Sequence, residues 1–176
     1  MITGFFISCR SNESQEKVES FLESSENMSV EDGRNVTIRY TDSSILKATI
    51  VAPRLLHYSD EKEPYTEMPE GVKATFFDAR GRETSRISAA SAVSYETEKM
   101  IVLRDSVRVY NTKGEELQSE ELYWDQRKKT IYTNTFVKIV REGETLRGHG
   151  FESNETFTKY KILKPSGPVK LKESFE

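Results

Sequence analysis

The sequence predicts an all-β chain folded as an elongated, open, twisted β-jellyroll of repeated antiparallel strand pairs. Three observations predict it. From Val36 onward, apolar and polar residues alternate with period two, and no segment sustains the 3.6-residue period of an amphipathic helix. Strand-length runs are divided from one another by only a few polar residues. The pattern strand, turn, strand, aromatic also recurs. Turn glycines fall at Gly81, Gly114 and Gly143, and aromatics follow at Tyr95, Tyr123 and Phe151, 28 residues apart each time, with Tyr58 marking a looser earlier copy. Units of that length cannot bury their apolar faces alone and must stack, here as two facing sheets.

Residues 1–9 open on Gly4-Phe5-Phe6-Ile7-Ser8-Cys9, a short apolar run closed by a small residue and a cysteine. It resembles the end of a bacterial lipoprotein signal peptide, in which the cysteine becomes the acylated first residue. Phe6 stands where leucine is usual, and eight residues precede Cys9, fewer than a full signal carries. An ordinary, inert cysteine in a frayed N-terminus is the other reading of Cys9; as the single cysteine it excludes an internal disulfide and an all-cysteine metal site. Residues 10–35 read as a polar tether rich in Ser, Glu and Asn, with Val18, Phe21 and Leu22 the one hint of a short helix.

The β-region, residues 36–163, begins with the alternation Val36-Thr37-Ile38-Arg39-Tyr40. Asp42-Ser43-Ser44 turns the chain into a strand from Ile45 to Val51, after which 59–64 is a polar loop and Pro69-Glu70-Gly71 a tight turn. Val72–Phe77 is the next strand, ended by Asp78-Ala79-Arg80-Gly81. Further strands are expected at Thr84–Ala92, Lys99–Leu103, Val107–Tyr110, Glu116–Tyr123, Thr130–Thr133, Phe136–Val140, Thr145–Phe151 and Thr156–Leu163. Pro165-Ser166-Gly167-Pro168 stops further pairing and opens the tail, 164–176.

Ile101 and Leu103, Val107 and Val109, Ile131, and Val137 and Ile139 share one parity along their strands, whereas Arg104, Arg108, Lys138 and Arg141 fall elsewhere. This apolar row either fills a dry sandwich core or lines a groove between splayed sheets. Alternation alone supports both.

Composition excludes several functions. A net charge of −3, from 26 basic against 29 acidic residues, lacks the excess of cations that binding to nucleic acid requires. No run of 18 apolar residues is present to form a membrane-spanning helix. The only histidines, His57 and His149, have no HxH or HxxxH spacing, so no metal centre is expected; Gly148-His149-Gly150 places His149 on the outer face of a strand bent at its glycines. Paired carboxylates such as Glu115-Glu116, Glu120-Glu121 and Asp60-Glu61 sit at turns, and no nucleophile elbow, phosphate loop or dinucleotide fingerprint occurs. No catalytic residues and no cofactor are expected. Tyr123 and Trp124 could form a sugar-binding platform, though a half-buried strand-end aromatic is the commoner role.

Several short stretches resemble one family in order and spacing. They are Tyr40-Thr41-Asp42-Ser43, Met68-Pro69-Glu70-Gly71-Val72, the run from Ser85 to Tyr95, Gly114-Glu115-Glu116-Leu117, Glu121-Leu122-Tyr123-Trp124-Asp125, Ile131-Tyr132-Thr133 and Gly148-His149-Gly150-Phe151. Over Val36–Leu163 the chain resembles LptC, the membrane-tethered periplasmic component of the lipopolysaccharide transport bridge, in its Bacteroidetes-type lipoprotein form. The resemblance implies an LptA/LptC/OstA-like jellyroll that is not an enzyme and has no cofactor. It implies lipid A acyl chains held inside, received from an inner-membrane ABC transporter complex and passed to a periplasmic bridge protein. Carried onto this sequence, the lipid-binding lining comprises Phe76, Phe77, Ile101, Leu103, Val107, Val109, Ile131, Val137, Ile139 and Tyr160. Lipidation of Cys9 would replace the family's usual N-terminal transmembrane helix and anchor the chain to the inner membrane. The C-terminal edge strand would dock the bridge protein. Two other readings stay open: a surface lipoprotein β-sandwich that binds glycans through Tyr123 and Trp124, and the soluble bridge protein of the same superfamily.

Overall fold

A computed structural model describes residues 30–59 and 62–167. Cys9, the hinted helix at Val18–Leu22, most of the tether and the last nine residues lie outside the described residues. Eleven strands follow one another within them: β1 (Val30–Asp42), β2 (Ile45–Tyr58), β3 (Tyr65–Met68), β4 (Val72–Phe77), β5 (Glu83–Ala89), β6 (Ser91–Tyr95), β7 (Met100–Asn111), β8 (Glu116–Asp125), β9 (Thr130–Arg141), β10 (Glu144–Asn154) and β11 (Tyr160–Ser166). All pairings are antiparallel and all belong to one sheet.

The apparent branching of that sheet resolves into a simple meander. β2 pairs with β4 through Ala48–Val51 and with β3 through Leu56–Tyr58, so β3 and β4 are two parts of one interrupted strand. β7 likewise pairs with β5 through Arg108–Asn111 and with β6 through Met100–Arg104. Each strand therefore lies beside its sequence neighbours, as short polar turns dictate. Among the described residues the meander ends in two unpaired edges, the outer sides of β1 and β11.

A line of irregularities crosses the sheet from β1 to β10. It runs from Asn35 (φ 51°) opposite Pro53, through the break at Pro69-Glu70-Gly71 and the skip at Ala90, to Asp105 and Ser106, both at positive φ. It continues through register shifts between Ser119 and Tyr123 in β8 and at Gly150 (φ 77°) in β10. Bulges bend a strand and increase its twist, and aligned bulges fold a whole sheet. Here the sheet folds back on itself, and inward side chains from both sides of the crease form one cluster. Phe76, before the crease in this sense, meets Trp124 from the other half with ring centroids 4.9 Å apart, and Tyr40 meets Trp124 at 5.2 Å. This is the open, folded-over β architecture that the alternation predicts.

The structure corrects several boundaries. Lys99–Leu103 and Val107–Tyr110 are one strand, β7, and Thr130–Thr133 and Phe136–Val140 are one strand, β9; their central polar residues are crease positions rather than turns. β3 fills the stretch between the expected loop 59–64 and the turn at Pro69, where no strand is expected; its Thr66 and Met68 are buried. β1 starts at Val30, within the segment assigned to the tether. β11 starts at Tyr160 rather than Thr156 and continues through Pro165, which a strand paired on one side only tolerates. The 28-residue repeat is one of length and not of face: Phe151 is inside, whereas Tyr123 stacks on Tyr132 outside, with centroids 5.1 Å apart.

Candidate functional site

The interior between the half-sheets is the candidate site. Its lining follows from the pleat, since alternate residues of each strand point inward. Phe76, Ile101, Leu103, Val107, Val109, Ile131, Val137 and Ile139 all lie in the buried cluster, and Tyr160 packs against it half-buried. Phe77 does not: it follows Phe76 across a bulge and lies outside the cluster. Sequence reasoning missed Phe157, Phe151, Leu117, Leu122 and Met68, which line the same space. Parity along β8 and β10 could not reveal them, because their crease shifts the inward phase.

The inside is chemically uniform. Its buried polar side chains are small hydroxyls: Thr66, Ser85, Ser119, Thr133 and Ser153. Ser119 and Thr133 share bonds with Thr135, at 3.0 and 2.9 Å, whereas the buried Ser85 hydroxyl has no partner among the described residues. The one buried carboxylate, Asp125, is not part of the cluster and caps the turn after β8, accepting from the Lys128 backbone N–H at 2.9 Å. That hydrogen bond holds its carboxyl below the usual carboxylate range. Among the described residues no three His, Cys, Asp or Glu side chains converge as for a metal.

The buried side chains pack against one another. A cavity of about 20 Å³ among them is bounded by Val109, Asn111, Glu115, Leu117, Ile139, Phe151, Phe157 and Tyr160, room for one water at most. Two larger depressions, near 300 and 290 Å³, lie at the surface among residues such as Lys129, Lys159 and Lys161, or Arg108 and Lys138. They are too charged for an acyl chain.

The free rims of the two half-sheets meet where this cavity lies, and only side chains join them. Tyr160 Oη donates to Glu115 Oε1 at 3.0 Å, and Asn111 Nδ2 donates to Glu115 Oε2 at 2.6 Å and to the Phe157 carbonyl at 3.5 Å. Burial, reinforced by that Glu115 contact, raises the Tyr160 phenol above its ordinary range. Lys129 pairs with Asp42 from the other half, whereas Trp124 Nε1 donates at 2.9 Å to Glu155 Oε1 within its own half-sheet. Among the described residues no backbone hydrogen bond connects these rims.

The remaining candidates fall outside. His149 is exposed on the outer face, with its ring edge-on to Phe136 at 5.5 Å. Trp124 is 1 % exposed, which removes the sugar platform it was to form with Tyr123: its indole faces the core while Tyr123 faces out. Glu115 and Glu116 split in the same way, Glu115 to the rim and Glu116 to the outer pair with Arg108.

Comparison with known proteins bears on this arrangement. The family model for LptC, described as lipopolysaccharide-assembly, LptC-related, matches residues 1–165. No curated protein matches the chain. Among solved structures, the chain is similar to LptH of Pseudomonas aeruginosa, described as the LptA-homologous periplasmic component of the lipopolysaccharide transport device. The identity is 9 %, the TM-score 0.41, and the match covers 58 % of this chain and 79 % of that one.

Proposed function

The chain belongs to the LptC family of lipopolysaccharide assembly, and from that premise we propose that it is a periplasmic carrier holding the acyl chains of lipopolysaccharide between its half-sheets. The observation that carries this reading is the side-chain-only closure of an interior free of charge. Separating the rims breaks a few side-chain contacts and no sheet hydrogen bond, so the space can open while the meander persists. Each methylene that enters gains roughly 0.8 kcal/mol, enough over one acyl chain to offset parting packed side chains. An interior without acids, bases or metal ligands suits transfer, in which successive sites must hold the lipid with similar strength.

In this reading Cys9 carries a lipid anchor in the inner membrane, an ABC transporter in that membrane supplies the lipid, and a periplasmic bridge protein accepts it. The unpaired side of β11 would receive the bridge protein by strand addition. Its support is the free edge itself and Leu163, which is 48 % exposed on it. Such joining is head-to-tail and builds an extended path rather than a closed dimer. Pro165 has no N–H to offer, so pairing would run over Tyr160–Lys164.

Photocrosslinking tests the site. A photoreactive residue at Val109 or Ile139 in cells should label lipopolysaccharide, and one at the outward Arg108 should not; equal labelling from all three would refute an internal site. The same residue at Leu163 should capture the bridge protein. Labelling with free acid of radioactive palmitate that persists in Cys9→Ser would refute the anchor.

A further inference from the structure

We propose that the ring of Phe157 occupies an acyl-chain position, and that the turn carrying it, residues 155–159, is a plug over the port by which chains enter. The inference rests on the carrier reading and names the place where that interior opens.

Phe157 lies in a turn between two strands, yet it is only 3 % exposed. Its ring reaches into the cluster, stacked on Phe151 at 6.3 Å and edge-on to Phe76 at 6.5 Å. It also bounds the small cavity beside Val109 and Ile139. Its backbone stands at φ 51°, the left-handed region that a bulky side chain rarely adopts. A large apolar residue held in such a conformation persists because its surroundings over-determine it. Those surroundings are divided in a telling way.

Within the turn the bonds are dense and local. Asn154 Oδ1 accepts from the Thr158 and Lys159 backbone N–H groups at 3.0 and 3.1 Å, and Asn154 Nδ2 donates to Thr156 and Thr158 hydroxyls at 2.9 and 2.8 Å. The Phe157 N–H donates to the Asn154 carbonyl at 3.0 Å. Beyond the turn region the polar bonds are few: Asn111 to the Phe157 carbonyl, Tyr160 to Glu115 and Arg141, and, within the same half-sheet, Trp124 to Glu155. The turn can thus lift as a shaped unit, taking the ring with it and leaving an apolar slot bounded by Val109, Leu117, Ile139 and Phe151. The slot's mouth bears Asn111, Glu115 and Tyr160, polar groups able to stay in water while a chain passes beneath. In the absence of lipid, the ring keeps this slot dry.

The test measures binding of purified lipopolysaccharide to the full chain carrying Cys9→Ser, alongside thermal melts by circular dichroism. Phe157→Ala spares the lipid the displacement of a buried ring, and should tighten binding at least tenfold while lowering the melting temperature. Tyr160→Phe keeps the ring and removes the bond to Glu115, and should tighten binding about five-fold. Spin labels at Lys113→Cys and Thr158→Cys should move apart when lipid is added. If the original chain binds lipid, but the label distance stays constant and neither substitution tightens binding, Phe157 is core packing alone and the plug is overturned. If no variant and not the original chain binds lipid, the carrier reading falls, and the plug with it. Should Phe157→Ala fail to fold, Tyr160→Phe and the labelled pair decide.

Discussion

Trp124→Phe probes the contact that joins the two half-sheets. The indole is buried against Tyr40 and Phe76, and its N–H reaches Glu155 in the turn proposed as a plug. Phenylalanine keeps most of both ring contacts and removes two things. Loss of a hydrogen bond to a partly exposed carboxylate costs about 1–2 kcal/mol. The missing part of the indole leaves a void of roughly 40 Å³, worth about 1 kcal/mol at ~24 cal/mol per Å³. The expected total is about 2–3 kcal/mol, a fall in melting temperature of roughly 5–10 °C for a domain of this size. Urea denaturation followed by far-ultraviolet circular dichroism measures it, since the variant lacks the chain's one tryptophan. A double-mutant cycle with Glu155→Ala should return about 1–2 kcal/mol of coupling. A total loss below about 0.5 kcal/mol, with no coupling, would refute the account of how the halves are held together.

Three further outcomes follow from the geometry. A Cβ at Gly148 would lie 2.4 Å from the Lys164 carbonyl oxygen and 2.4 Å from Ile162 Cγ2. Gly148→Ala should therefore push β11 off β10, costing about 1–3 kcal/mol and speeding amide exchange in 160–166; unchanged exchange would count against the packing. Lys138 and Arg147 face each other across β9 and β10, and neither forms an ion pair among the described residues. Arg147→Glu should stabilise the protein by about 0.5–1 kcal/mol, an effect that 1 M salt should largely erase and that melts at two salt concentrations would detect. Asp125 has a folded-state pKa below its unfolded one, so its contribution is complete above the unfolded value and is lost as pH falls through the folded value. Asp125→Asn should flatten the acid limb of the stability profile below about pH 4; an identical limb in both proteins would refute that role.

Much of the site was legible before any coordinates. Eight of the ten residues named for the lining lie in the buried cluster, because β7 and β9 keep one inward phase from end to end. In β7 the crease inserts Asp105 and Ser106, two residues that restore the phase, so Ile101, Leu103, Val107 and Val109 read as a single row. β8 behaves otherwise. Its register shift moves the inward set from Leu117 and Ser119 to Leu122 and Trp124, and β10 makes the same change between Gly148 and Phe151. Alternation in sequence carries no mark of where a one-residue slip occurs, so it leaves open whether Trp124 faces a sugar or the core. Phe77 is outside by alternation itself, since Val72, Ala74 and Phe76 are the inward set of β4.

The sequence alone determined the class of fold, the antiparallel order and the apolar character of the inside. These follow from period-two patterning and turns too short for any connection but a hairpin. Only the tertiary structure decided that the strands share one crease and that Phe157, from a turn, reaches the interior. Those facts depend on residues distant in the chain meeting across a folded sheet: Asn111 with Phe157, Glu115 with Tyr160, Trp124 with Phe76. Local patterning governs which way a side chain points from its own strand. What it meets there is set by where the sheet bends.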